Sequence, residues 1–429
     1  MNNLNRLGDI ATVILSNVDK KSKEHEKDVK LCNFVDVYNN WAINKNTSNN
    51  FMIATANDNQ VAQFMLKKGQ VAITKDSETR DDIGVSTYIA DDLKDTLLGY
   101  HCALVTPDFT KLNGKFLNAY LHSPRAIKHF SNQASGSGQR YALTASSILN
   151  LPIPDIDLKH QEKIGNFFSV IDRIIENNKK IISELESMAK TIYDYWFLQY
   201  DFPNENGKPY KSSGGKMVWS EELKREIPEG WEVNTLEEYL EIVRGVMYEK
   251  EDISNQNKTG YIPLLKSNNI QDGKVNYDDI IYVKKDNISD NQYLEKGSII
   301  ITMSSGSTEH VGKMALMYSS QEYTIGAFCA KISIMPKYKY YLSMNLMSNY
   351  FKKKLHAVIN GTSIKNINNK HIIDNFICYP ADSVLEKYEQ MMTSIFNEIG
   401  VLSNENQELS SLRDFLLPML MNGQVTFKE

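Results

Sequence analysis

The chain contains one apolar stretch twice, and this stretch decides the fold. It reads Leu66-Lys-Lys-Gly-Gln-Val-Ala-Ile-Thr74 in the first half and Leu294-Glu-Lys-Gly-Ser-Ile-Ile-Ile-Thr302 in the second. In both, a glycine is followed by a short run of mainly β-branched residues, the pattern of a buried strand. The two stretches predict that each half of the chain builds its own sheet.

Further matches follow in the same order, at offsets near 225–230 residues. The matched pairs are Gly84 and Gly312, Gly99-Tyr-His-Cys102-Ala and Gly326-Ala-Phe-Cys329-Ala, Leu121-His-Ser123 and Leu346-Met-Ser348, and Gly136-Ser-Gly-Gln-Arg140 and Gly361-Thr-Ser-Ile-Lys365. An internal repeat is therefore indicated, with two compact domains of about 150 residues each. Helices are predicted at Lys115 to His122 and at Tyr340 to Leu355. A duplication without functional meaning is the alternative.

After each copy comes a long helical pattern. Between about Leu158 and Phe197 there is no proline, and apolar residues recur at heptad spacing. The first stripe is Ile164, Phe168, Ile171, Ile175, Asn178, Ile182, Leu185, Ala189, Ile192 and Trp196. The second stripe is Tyr388, Met392, Ile395, Ile399, Leu402, Asn406, Leu409, Arg413, Leu416 and Leu420. Helices of about 40 residues are about 60 Å long, and neither can bury its stripe alone.

The expected architecture is α/β (α+β), with two similar globular domains separated by two long antiparallel helices and related by a pseudo-two-fold axis. The predicted boundaries are 1–155 for the first domain, 156–200 for the first helix, 201–228 for a linker, 229–380 for the second domain and 381–426 for the second helix. Asn178 and Asn406 would face each other and fix the register of the helices. The alternatives are that these side chains reach solvent, and that the helices serve only for oligomerisation.

Composition limits the class of protein. The net charge of −5 excludes a uniformly basic surface, but the 48 Lys and Arg residues still permit a local basic groove. No apolar run is long enough to span a membrane, and the N-terminus lacks an apolar signal core. Four scattered cysteines argue against structural zinc and disulfides. We therefore expect a soluble cytoplasmic protein.

Catalytic motifs are absent from the sequence. It contains no Walker A motif, no methyltransferase motif of the Asn-Pro-Pro-Phe/Tyr or Asp-Pro-Pro-Tyr type and no GxGxxG loop. The histidines show no metal-ligand spacing, so no metal site is predicted. Pro154-Asp-Ile-Asp-Leu-Lys159 resembles a compressed nuclease motif, but acidic residues are also expected at the start of a helix.

The chain resembles the specificity subunit of type I restriction–modification systems. The resemblance rests on Arg6-Leu-Gly-Asp-Ile10, Tyr195-Trp-Phe197, Asp201-Phe-Pro203, Gly207-Lys-Pro-Tyr-Lys211, Ser213-Gly-Gly-Lys-Met217, Ile227-Pro-Glu-Gly-Trp231 and Leu412-Arg-Asp-Phe-Leu-Leu-Pro-Met-Leu-Met-Asn-Gly423. It implies a non-catalytic subunit whose two domains each read half of a bipartite, asymmetric site in double-stranded DNA. It also implies two methyltransferase subunits docked on the helices, and restriction–translocase subunits. S-adenosylmethionine, ATP and Mg would be used by those partners, with no cofactor in this chain.

Residues that contact DNA are expected in the loops of each copy, where cations and hydroxyl or amide groups are available. In the first copy they are Lys75, Arg80, Tyr88, Ser137, Gln139, Arg140 and Tyr141. In the second copy they are Lys266, Asn268, Asn269, Ser304, Ser305, Ser307, His310, Lys313, Thr362, Ser363 and Lys365. Two other hypotheses stay open at this point: an enzyme with an unrecognised site, and a scaffold whose repeats bind protein.

Overall fold

The computed structural model describes residues 4–136, 140–271, 273–277, 279–306, 309–318, 322–360 and 366–427. The chain divides into two compact units. The first comprises Met1–Asn177 with Asn406–Glu429, and the second comprises Asn178–Glu405. Each unit thus contains one copy of the repeat together with part of each long helix.

The first unit is built on a mixed sheet of five strands. Their order across the sheet is Ala11–Leu15, Cys102–Pro107, Val71–Thr74, Ser86–Ile89 and Ala42–Ile43. A second sheet has the order Met52–Ala56, Lys27–Cys32 and Thr96–Leu98. The first unit also has two separate two-stranded sheets, Leu4–Arg6 with Pro152–Pro154 and Asp76–Ser77 with Tyr141–Ala142. Its shorter helices are Leu7–Asp9 (3-10), Phe34–Asn39, Lys45–Ser48, Asp58–Phe64, Gly114–Leu121, Pro124–Gln133 and Ala145–Leu149.

The second unit repeats this plan. Its main sheet has the order Leu240–Arg244, Cys329–Ile334, Ile299–Thr302 and Met314–Leu316. The next sheet has the order Ile253–Ser254, Ile281–Lys284, Tyr261–Leu265 and Thr324–Ile325. The two-stranded pairs are Glu232–Thr235 with Phe376–Tyr379, Met217–Ser220 with Arg225–Pro228, and Ile270–Gln271 with Lys274–Val275. The helices are Lys339–Leu346, Asn349–Asn360 and Lys370–Ile373, with 3-10 turns at Lys211–Ser213, Lys250–Asp252, Ser267–Asn269, Lys285–Asn287, Asp290–Gln292 and Pro336–Tyr338.

The two copies of the repeat share individual backbone hydrogen bonds. Gly84 N donates to Thr74 O at 3.1 Å, and Gly312 N donates to Thr302 O at 2.8 Å. Both glycines adopt a positive φ, +85° and +82°, which side chains other than glycine rarely adopt. The mixed α/β fold with two similar domains is therefore confirmed, and the predicted strands at Val71 and Ile299 lie at the centre of their sheets.

The single helix predicted from Tyr340 to Leu355 is wrong, because the chain forms two helices there. The first ends at Leu346, and Ser348 caps the second, accepting a hydrogen bond from Phe351 N on its Oγ at 3.2 Å. Ser123 does the same in the first copy, where Ala126 N donates to its Oγ at 3.4 Å. The repeated serine was thus the sign of a new helix start, since serine is a preferred N-cap.

The first long helix covers Leu158–Tyr193 and continues as one π-helical turn, Asp194–Leu198. The second covers Asp382–Met421. Its last turn closes where Gln424 N donates to Met419 O at 2.9 Å.

The two long helices run antiparallel within each unit. In the first unit, Ile164 and Phe168 from the start of one helix share a core with Leu417 and Leu420 from the end of the other. In the second unit, the rings of Phe197 and Tyr388 lie 4.7 Å apart, so the end of one helix meets the start of the other. Every member of the two predicted stripes is buried or half-buried, as the heptad pattern predicts.

Asn178 is buried in the second unit, and its Nδ2 donates to Glu405 Oε2 at 2.7 Å. The predicted partner, Asn406, follows Glu405 in the chain and belongs to the first unit. The pairing of Asn178 with Asn406 as a register lock stays a prediction, as do the five predicted domain boundaries.

Candidate nucleic-acid interface

In the first copy, several strands end at the same edge of the sheet. The strand Val71–Thr74 leads into Lys75, and Cys102–Pro107 begins beside it after His101. Lys75 N donates to His101 O at 2.9 Å, and Leu143 N donates to Lys75 O at 2.8 Å. We name this surface the strand-end edge of the first copy, formed by residues 75–77, 100–101 and 140–142.

At the strand-end edge, one carboxylate contacts a lysine and a histidine, and an arginine lies beside the histidine. Asp76 Oδ2 lies 2.9 Å from Lys75 Nζ and 2.8 Å from His101 Nδ1, and Arg140 Nη2 lies 3.0 Å from the same ring nitrogen. Burial alone would raise the pKa of Asp76, but the hydrogen bonds and charges of Lys75 and His101 lower it below its ordinary value. Asp76 is therefore ionised and holds its cationic neighbours in place.

Two tyrosines hold cations at the same surface. Lys75 Nζ lies 5.1 Å from the centroid of the Tyr100 ring, and the Arg80 guanidinium lies 5.1 Å from the Tyr141 ring. Such cation–π contacts orient the charges without neutralising them. Arg80, Tyr100 and Arg140 are exposed, so the edge presents both cations and an aromatic face to solvent.

The structure brings together Lys75, Arg80, Arg140 and Tyr141 of the first-copy predictions. Tyr88 is not among them, because its side chain lies in the core and is only 7% exposed. Ser137 and Gln139 lie outside the described residues. Sequence reasoning missed Asp76, Tyr100 and His101. Tyr100 and His101 belong to the repeated Gly99-Tyr-His-Cys102 segment. The repeat indicates that the two copies match there, but it does not indicate that these side chains lie at the strand-end edge.

The second copy has the same backbone at the same edge. Met303 N donates to Phe328 O at 2.8 Å, and Ile367 N donates to Met303 O at 2.8 Å. Ser304 forms an isolated bridge with Asn366, as Asp76 pairs with Ala142 in the first copy. The strand-end edge of the second copy is thus formed by residues 303–305, 327–328 and 366–367. Met303 is equivalent to Lys75, and Phe328 is equivalent to His101.

Most side chains at the two edges differ, although Ser77 and Ser305 are the same residue type. The second copy has Met303, Ser304 and Phe328 where the first has Lys75, Asp76 and His101. Met303 is buried, whereas Phe328 is 67% exposed. One backbone scaffold therefore carries an ionic cluster in the first copy and uncharged groups, with an exposed aromatic ring, in the second.

The remaining second-copy predictions fall into distinct environments. Lys313 Nζ lies 3.2 Å from His310 Nδ1, and both side chains are half-buried beside Thr302 at the end of its strand. Asn269 is buried and structural, since Lys266 N donates to its Oδ1 at 2.9 Å and its Nδ2 donates to Asn276 O at 3.0 Å.

The side chains of Lys266, Ser304 and Ser305 are half-buried, and Asn268 is exposed. Ser307, Thr362, Ser363 and Lys365 lie outside the described residues.

The acidic segment before the first long helix has a structural role. Asp157 caps that helix, accepting a hydrogen bond from His160 N on its Oδ1 at 3.1 Å, and this contact is the main reason that its pKa is lowered. Asp155 accepts a hydrogen bond from Asn5 Nδ2 at 3.2 Å. In the part of the chain that the structure describes, no group of three or more His, Cys, Asp or Glu side chains is placed to hold a metal ion.

Among the described helices, none is both long and apolar enough to cross a membrane.

The model of one protein family, described as "Type I restriction modification DNA specificity domain", matches residues 3–187 and again residues 228–410. The chain belongs to this family. The two matched segments correspond to the two copies of the repeat and include the first part of each long helix. The type I specificity domain therefore occurs twice in this chain, as the internal repeat predicts.

Two similar proteins are specificity subunits of type I restriction enzymes, in agreement with the family. The StySPI specificity subunit of a type I restriction enzyme from Salmonella potsdam is 29% identical over 47% of this chain and 44% of the relative, so the match spans about half of that protein. The HindI specificity subunit from Haemophilus influenzae is 23% identical over 85% of this chain and 88% of the relative.

A crystal structure of a type I restriction–modification system S subunit from M. genitalium has the same fold. The TM-score is 0.56 at 16% identity, and the match covers 97% of this chain and 95% of the other. At this identity the likeness concerns the fold alone.

Proposed function

We propose that this chain is the DNA-reading subunit of a type I restriction–modification complex, and that each copy reads one half of a bipartite DNA site. One observation carries the proposal: equivalent strand-end edges present different side chains on the same backbone. Lys75, Asp76 and His101 are replaced by Met303, Ser304 and Phe328. Two readers of different half-sites need a common scaffold and different contact groups.

The chemistry of the first edge suits duplex DNA. Arg and Lys side chains bind phosphates and donate to the acceptors on the major-groove edge of guanine. Arg80 and Arg140 are exposed, while Asp76 and the tyrosine rings keep the cations of the edge in place. A held cation loses less conformational entropy on binding than a free one.

The second edge has to read its half-site by other means. The ring of Phe328 is exposed there, the half-buried Ser304 lies next to it through Ser304 N and Phe328 O, and Lys313 provides a cation nearby. Apolar contact with bases and hydrogen bonding from hydroxyl groups are both established modes of base recognition. The two copies thus differ in the kind of contact as well as in the bases read.

In this proposal the chemistry belongs to partner subunits. The chain itself is not an enzyme; methyltransferase subunits dock on the long helices and methylate adenine, and restriction–translocase subunits cut DNA with ATP and Mg. The helices set the unread gap, on the scale of one duplex turn, about 34–36 Å. The location in the cytoplasm stays a prediction.

The experiment compares the purified chain alone with the chain bound to the methyltransferase subunits of its own system. Alone, it should bind DNA but transfer no methyl group and make no cut with any cofactor. With the methyltransferase, it should direct methylation to one bipartite motif. Activity of the isolated chain would indicate an enzyme instead. Methylation without sequence preference would indicate a scaffold that binds only protein.

A further inference from the structure

Two apolar side chains project into solvent from the second copy. Met247 is 79% exposed and Phe328 is 67% exposed. Among the large hydrophobic side chains of the described residues, these two have the highest exposed fractions. Single exposed apolar groups are ordinary, but neighbouring ones indicate a surface that something covers.

The two side chains come from loops that lie side by side. Val246 forms a parallel bridge with Gly326, and Val246 N donates to Ile325 O at 2.7 Å. Gly245 packs so closely that a Cβ there would lie 2.3 Å from Gly326 O. Met247 and Phe328 each follow this tightly joined backbone within two residues, so both exposed side chains belong to neighbouring loops.

The backbone beneath Phe328 is fixed. Its carbonyl oxygen accepts hydrogen bonds from Met303 N at 2.8 Å and from Ser304 N at 3.1 Å. The ring is therefore held outside the core by an ordered strand end. A group whose burial would be favourable is kept in water by the fold, and this arrangement favours contact with a partner.

The first copy shows which partner is favoured. There, Val18 forms the bridge with Gly99, so Asp19 stands in the place of Met247, and His101 in the place of Phe328. A subunit that docked in the same way on both copies would need the same groups at both. Apolar groups in one copy and ionisable groups in the other suit the component that differs between the two halves, the DNA sequence.

Two lysines lie close in the backbone to the loops of the apolar pair. Lys313 accepts a hydrogen bond on its carbonyl from Thr302 N at 3.0 Å, next to Met303. Lys266 follows Leu265, whose carbonyl accepts from Gly326 N at 3.0 Å. Apolar groups with basic residues nearby fit a DNA groove, where bases face the centre and phosphates face the sides.

We propose that Phe328 and Met247 form an apolar wedge that enters a base step of the second half-site and unstacks it. The inference rests on the proposed DNA-reading function and assigns the second copy's mode of recognition. Insertion of apolar side chains between base pairs is a known way to kink a duplex. The second half-site would then be read partly by how easily its steps deform.

The test uses the full chain in complex with its methyltransferase subunits, and duplexes that carry the methylated bipartite motif. 2-Aminopurine, whose fluorescence rises when it is unstacked, is placed in turn at each position of the second half-site except the methylated adenine, because the methyltransferase flips its target base out of the stack. The wild-type complex should raise the fluorescence at one step. Phe328→Ala should abolish this rise and lower affinity for the motif about tenfold, the scale of one lost base–aromatic contact.

Tyr350→Ala is the matched control, because Tyr350 is an aromatic residue of the same copy, 58% exposed, on the helix Asn349–Asn360. It should leave both signals at wild-type levels. An unchanged fluorescence rise in Phe328→Ala would overturn the wedge. So would a failure of Phe328→Ala to bind the methyltransferase subunits, because that result indicates docking of a protein. A wild-type complex that methylates no bipartite motif would instead overturn the proposed function.

Discussion

The backbone N–H of Tyr341 donates to Glu389 Oε1 at 2.8 Å, so a carboxylate of the second long helix caps the helix Lys339–Leu346. Tyr340 N donates to the same group at 3.0 Å. In the first copy, the equivalent helix Gly114–Leu121 is capped by Asn113, whose Oδ1 accepts from Lys115 N at 2.9 Å and from Phe116 N at 3.1 Å. Burial outweighs the hydrogen bonds to Glu389 and raises the pKa of its carboxyl to about 7.

Glu389 should make stability fall as pH rises. The pKa of the folded state lies above the ordinary value of 4.5, so the folded chain binds this proton more tightly than the unfolded chain. The contribution is full below pH 4.5 and is lost as pH rises through about 7. Glu389→Gln, which keeps a hydrogen-bond acceptor and removes the titrating carboxyl, should remove this slope and stabilise the protein by about 1–2 kcal/mol at pH 8.

The measurement is the free energy of unfolding of the chain at a series of pH values from 5 to 8. Glu398→Gln is the control, because Glu398 is exposed on the same helix. It should leave the slope intact. A Glu389→Gln curve parallel to the wild-type curve would show that Glu389 does not titrate in this range.

His122 should act in the opposite direction in the first unit. Its ring stacks on Trp41 with centroids 4.4 Å apart, and burial lowers its pKa to about 4. Since the folded pKa lies below the ordinary value of 6.5, stability is full above pH 6.5 and falls as pH drops towards 4. His122→Met, which installs the second copy's Met347, should remove this acid sensitivity.

The check for His122 is the melting temperature between pH 4 and 7. His25→Asn is the comparison, because His25 is exposed and asparagine tolerates its positive φ of 70°. The comparison variant should keep the wild-type slope. Equal slopes for wild type and His122→Met would contradict a neutral, buried imidazole.

The two serine caps should contribute similarly to stability. Ser123→Ala and Ser348→Ala each remove an oxygen that accepts from a backbone N–H. Each should cost about 1 kcal/mol of unfolding free energy in denaturant titrations. Ser187→Ala, at an exposed position within the first long helix, should cost nothing, since alanine favours helices more than serine. A loss confined to one of the two caps would contradict their equivalence.

Repeats and periodicity predicted the fold well because both are local in sequence. The heptad stripes around Ile164 and Tyr388 predicted the long helices, and the stretches at Val71 and Ile299 predicted the central strands. The helix break at Ser348 was missed because helical spacing continues across it. At that point the N-cap Ser348 starts a new helix, and the equivalent Ser123 in the first copy is the sequence feature that indicates this start.

The candidate site was harder to predict because its residues meet through strand pairing. Asp76 and His101 are 25 residues apart in the chain, and only the register of Val71–Thr74 with Cys102–Pro107 brings them together. Tyr88 was misplaced among the exposed groups because polarity does not reveal the face of a strand that is buried on both sides. The exposure of Phe328 could not be predicted, because the sequence alone does not distinguish an exposed phenylalanine from a core phenylalanine.

The most direct test of independent readers is the methylome of a host that expresses the complex with Arg140→Ala. Arg140 lies on the first strand-end edge, 3.0 Å from His101. The variant should relax or weaken recognition at one half of the bipartite motif, and the other half should keep its bases. Equal loss of specificity at both halves would contradict the account of two separate reading domains.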